Sequence, residues 1–181
     1  MQKVAESLGG TPHLSPLLRK AARLGLLGHD DLLRLAVSRG CAHYTPPGHD
    51  PASVREPGRD LFSNEELAIA LVSGAQKYDP QLIRCAAQLL GAPGIQPERV
   101  AKLARMERCE PVIRHIAQAG ERWDEGQGDF WLAVLQALPP PRTIRPAVMP
   151  HPSRFMVQTG WTKPGATPVR ASVWLRPQAT P

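Results

Sequence analysis

"FSNEELAIALVSGAQ", residues 62–76, decides how the rest of the chain is read. Ser63 and Glu66 stand at capping-box spacing, where hydroxyl and carboxylate each satisfy the other's backbone N–H, and Phe62 and Leu67 occupy the two positions of a hydrophobic staple. Behind that start, Leu67, Ala68, Ile69, Ala70, Leu71 and Val72 leave no polar face. A helix that is apolar all round is buried all round. The stretch therefore predicts the central helix of a mainly α protein, with amphipathic helices packed about it.

Working outward, the same boundary signals recur. "SPLLRKAARLGLLG" (15–28) has Ser15 as N-cap, Pro16 at the first helical position and Gly28 as a stop, and "HDDLLRLAVSRG" follows at once; residues 1–40 read as a helical hairpin. "DPQLIRCAAQLLG" (79–91) has Asp79 as cap, Pro80 at the first position and Gly91 past the end, with Leu82, Ile83, Ala86, Leu89 and Leu90 on one face. "PERVAKLARMERC" and "PVIRHIAQAG" each open on proline, and "DFWLAVLQAL" is capped by Asp129 and stopped by Pro139, Pro140 and Pro141. Ile83-Arg84 and Ala87-Gln88 recur as Ile113-Arg114 and Ala117-Gln118. "DPQLIRCAAQLLG" resembles the second helix of a HEAT-type repeat, which implies that residues 61–138 form a compact bundle or HEAT-like stack of short antiparallel helices.

Two segments break this grammar. Residues 41–60 hold Pro46, Pro47, Gly48, Pro51, Pro57 and Gly58 and read as a linker. Residues 139–181 open with a Pro-rich arm to 152, after which "SRFMVQTG" and "VRASVWLRP" alternate like strands around "WTKPGATP", predicting a β-hairpin. Alternation in "VRASVWLR" predicts Val169, Ala171, Val173 and Leu175 packed inward and Arg170, Ser172, Trp174 and Arg176 facing outward.

Charge follows the same division. The net +6 of the chain equals the six cations of residues 139–181, which hold no acidic residue. A neutral body with a basic tail suits contact with phosphates or an acidic surface. Arg142, Arg145, Arg154, Lys163, Arg170 and Arg176 supply cations, and Trp161 and Trp174 (with Phe155) interleave them as stacking faces. The function expected is a non-catalytic nucleic-acid-binding protein, or a subunit of a ribonucleoprotein or DNA complex, gripping RNA or DNA with this tail on a helical platform. The alternative is a helical-repeat adaptor whose tail docks on an acidic protein partner.

Enzymatic readings find less support. Cys41, His43, His49 and Asp50 are metal-binding types inside one loop, but Cys-x-His is tighter than usual zinc spacing, so a linker without a metal is the expectation, and no cofactor is called for. Glu107 and Glu110 near His115 read as a solvated helix surface. Cys85 lies among Ile83, Ala86 and Leu89 and reads as core, leaving Cys109, beside Arg105 and Arg108 and ahead of a helix, as the reactive-thiol candidate. The pair of helices at 97–120 reads as packed helices rather than a helix-turn-helix. No run approaches the roughly 20 apolar residues that span a bilayer, and no secretory signal opens the chain, so a cytosolic protein is expected.

Overall fold

The structure, a computed structural model, describes residues 15–41, 56–75, 78–141, 149–159 and 171–178. These residues are mainly helical and share one continuous core. The helices are α1 (Pro16–Arg23), α2 (His29–Ser38), α3 (Asn64–Leu71), α4 (Pro80–Leu90), α5 (Pro97–Glu107), α6 (Glu110–Trp123) and α7 (Gly128–Ala137), followed by a 3₁₀ turn (Pro152–Phe155) and strands β1 (Met156–Thr159) and β2 (Ala171–Trp174).

Helix α3 is central, packed against α1, α2, α4 and α5. Its capping box is complete: Glu66 N donates to Ser63 Oγ at 3.3 Å and Ser63 N to Glu66 Oε2 at 3.0 Å. Phe62 and residues 67–71 are buried, and the Glu66 carboxylate also receives Lys20 Nζ from α1 at 2.7 Å. Behind α2 the buried guanidinium of Arg39 donates to Phe62 O at 2.6 Å, Pro57 O at 3.1 Å and Glu56 Oε1 at 3.1 Å. One planar donor fork thus fixes the end of α2 against the start of α3, a role that a lysine's point charge cannot fill.

Three helix boundaries differ from the sequence reading. Helix α1 ends before Gly25, whose φ of +85° makes the left-handed turn, and Gly28 instead precedes α2. Helix α6 runs past Gly120 to Trp123; a side chain at 120 would begin 2.4 Å from the Trp131 ring, so that glycine makes room for the indole. Helix α7 starts at Gly128, with Asp129 in its first turn.

β1 and β2 pair antiparallel, Met156 opposite Trp174 and Val157 opposite Val173. The face of β2 is the reverse of the expected one: Trp174 is 2% exposed and Val173 41%. Period two dictates that these neighbours point oppositely, and the larger apolar side chain wins the interior because burial energy grows with area. The indole packs 5.1 Å from Trp131 and 5.4 Å from Phe155, ring centre to ring centre, and donates to Ala87 O at 3.3 Å. Beyond β2 the chain stays attached: Gln88 Nε2 donates to Arg176 O at 2.9 Å and Gln178 N to Gly40 O at 3.0 Å. Gly40, at φ +101°, allows that approach, since a Cβ there would lie 2.1 Å from Gln178 O.

Candidate binding cleft

The junction of α5 and α6 turns adjacent residues in opposite directions. Glu107, the last residue of α5, is 2% exposed: its Oε1 accepts Leu17 N at 2.8 Å and its Oε2 accepts Ser73 Oγ at 2.7 Å. The expected surface carboxylate is thus an interior one, capping the N-terminus of α1, where an anion complements the helix dipole and an orphan N–H. Arg108 follows in the left-handed conformation, φ 56° and ψ 37°, ending α5 without a glycine. Its side chain faces solvent.

Across from this junction the chain returns after α7. Arg114 on α6 donates Nη2 to Leu138 O at 3.5 Å and, at shorter range, to Pro139 O, holding Pro139, Pro140 and Pro141 beside the helix. Next along, His115 Nε2 donates to Pro150 O at 2.9 Å and meets the Phe155 ring edge-on at 5.9 Å. Between the prolines and α6 lies a cleft of about 740 Å³ lined by Arg105, Arg108, Arg114, His115 and Glu110. Three guanidinium groups there face one carboxylate. Among the described residues, neither Arg105 nor Arg108 has a side-chain hydrogen bond or ion pair, and both are exposed.

The expected tail clamp is arranged differently. Trp174, proposed to stack on a base, is in the core, and Arg176 is half-buried and ion-paired with buried Asp124, which also accepts Trp131 Nε1 at 2.8 Å. Arg154 is exposed on the 3₁₀ turn. Arg142, Arg145, Trp161, Lys163 and Arg170 lie outside the described residues. In the sequence Arg105 and Arg108 stand beside Cys109 and, with Arg114, within the helix pair at 97–120; that the three line one cleft follows only from the return of residues 138–141 over α6.

The thiols are not placed for chemistry. Cys41, Cys85 and Cys109 are all buried and free of disulfides. Burial pushes the Cys109 thiol far up, and Glu107 and Glu110 push the same way, so the thiolate that a nucleophile needs is suppressed. A hydrogen bond with Cys41, together with burial, raises Cys85 as well. Among the described residues no group of His, Cys, Asp or Glu side chains is placed to hold a metal ion; His43, His49 and Asp50 lie outside them.

No protein-family model, curated protein or solved structure matches this chain. Among the described residues no helix is long and apolar enough to cross a membrane. What fold and site define is a mainly helical protein with Phe155 and Trp174 of its C-terminal segment in the core and a basic, proline-walled cleft on its surface.

Proposed function

We propose that this protein is a non-catalytic helical interaction platform for an acidic protein partner, its paired short helices stacked as a scaffold and its C-terminal strands a strap that completes it. The observation carrying this reading is the placement of Trp174. An indole 2% exposed offers no face to a base, and with Phe155 buried as well the tail's described aromatics serve the core and not a nucleic acid. The ionisable groups suited to catalysis support the same reading. Glu107 caps a helix, Asp124 holds Trp131 and Arg176, and the Cys109 thiol is kept protonated.

The net charge of +6 attracts any polyanion, so the test sets two of them side by side. Fluorescence anisotropy would compare labelled decaglutamate with a labelled single-stranded oligonucleotide of equal charge on the full chain. The platform reading expects the peptide to bind at least as tightly as the oligonucleotide. Oligonucleotide binding about tenfold tighter, a difference of about 1.4 kcal/mol, would overturn it.

A further inference from the structure

We infer that the cleft between α6 and the tract Pro139, Pro140 and Pro141 is the docking site for the partner, and that the occupant is an acidic peptide segment. This rests on the platform reading and places it on particular residues. Charge complementarity selects the occupant: among the described residues Arg105, Arg108 and Arg114 line a cleft whose one carboxylate is Glu110. The forked guanidinium donors match carboxylates bidentately, so side-chain carboxylates spaced along a peptide suit the site. Its volume of about 740 Å³ lies in the range of sites that enclose a few side chains.

The proline wall fits the same occupant. Prolines carry no N–H, so that wall presents ring carbons and carbonyl oxygens, and the anion-binding donors lie on the helical side. Arg114 already spends part of its fork on Leu138 O and Pro139 O, which sets the width of the cleft before any ligand arrives. A pre-set groove spares a ligand the ordering cost of building it. Arg108 adds an independent sign. A non-glycine residue held at φ 56° is conformationally costly, and at this exposed position glycine would be easier. What arginine adds there is a guanidinium at the mouth of the cleft.

The test measures decaglutamate binding by the full chain, by Arg105→Glu/Arg108→Glu, and by Arg19→Glu/Arg23→Glu, which makes the same charge change at exposed positions of α1. At physiological salt, charges more than about 8 Å away are largely screened. The cleft variant should lose roughly tenfold or more in affinity and the α1 variant less than about threefold. Arg108→Gly, which suits the left-handed backbone, should bind more weakly while melting no lower than the parent, separating lost contact from lost fold. Peptide binding that is unchanged in the cleft variant, or equally reduced in both, would overturn the cleft while leaving the platform. Binding of the oligonucleotide alone, or of neither probe, would overturn both.

Discussion

Gly91 and Trp174 share one space: a Cβ at residue 91 would begin 2.9 Å from the indole Cδ1 and 3.0 Å from Nε1. The backbone at Gly91 is ordinary, with φ −78°, so glycine is required there for room and not for conformation. Gly91→Ala should therefore destabilise through overpacking, by about 1–3 kcal/mol. Trp174→Ala should cost about 3–5 kcal/mol for the emptied core site. With the indole gone the added methyl has space, so the double variant should be clearly more stable than the sum of the single effects. Chemical denaturation of the four proteins checks the cycle; strict additivity would mean that the two residues do not compete.

The tail's role in the core sets a second expectation. Removing residues 139–181 takes Phe155 and Trp174 out of the aromatic cluster around Trp131. The remaining chain should lose the cooperative melt of the full protein, whereas a detachable arm would leave it unchanged. Val173→Asp, on the exposed side of β2, should cost less than about 1 kcal/mol, since solvent hydrates the new charge. A loss as large as that of Trp174→Ala would restore the original face assignment.

Glu107 joins α1, α5 and the segment after α3 through a single carboxylate. Glu107→Ala strands two buried donors, Leu17 N and Ser73 Oγ, and should cost about 2–4 kcal/mol. Glu107→Gln keeps one oxygen for Leu17 N, and the Ser73 hydroxyl can rotate to accept from the amide, so it should cost about 1 kcal/mol. Equal losses on denaturation would show that the charge, and not the bonding pattern, matters.

The thiols give the protein an alkaline limit. Cys85 and Cys109 hold their protons more tightly when folded than when unfolded: a hydrogen bond with Cys41, together with burial, disfavours the Cys85 thiolate, and burial disfavours that of Cys109. Their contribution is complete below the unfolded thiol pKa of about 8.5 and is lost as pH rises above it. Well above that pKa stability should then fall by up to about 1.4 kcal/mol per pH unit for the Cys109 thiol, with Cys85 acting in the same direction. Denaturation between about pH 8 and 10 should show the slope, and Cys109→Ala should lower it by about one thiol's share. In the native state near neutral pH all three cysteines should resist iodoacetamide; rapid labelling of Cys109 would contradict its burial.

What the sequence determined by itself was local. The starts of α1, α3 and α4 were readable from Ser15, Ser63 and Asp79, because a cap bonds to N–H groups within three residues of itself. The central place of α3 was readable too, since an all-apolar helix has no face to give to water. The tertiary structure decided everything that depended on competition between distant residues. Alternation in β2 specified two faces but not which one is inward; that followed from Gly91, Phe155 and Trp131 making a site that fits an indole. Glu107 reads as surface in a charged stretch until Leu17 and Ser73 are brought to it. Arg105, Arg108 and Arg114 become one site because the chain folds back over α6 at residues 138–141, where Arg114 donates to Leu138 O and Pro139 O, carbonyls beyond the end of α7. Hydrogen bonding within a helix is settled by near neighbours, whereas burial is settled by whichever side chains fill the common core best.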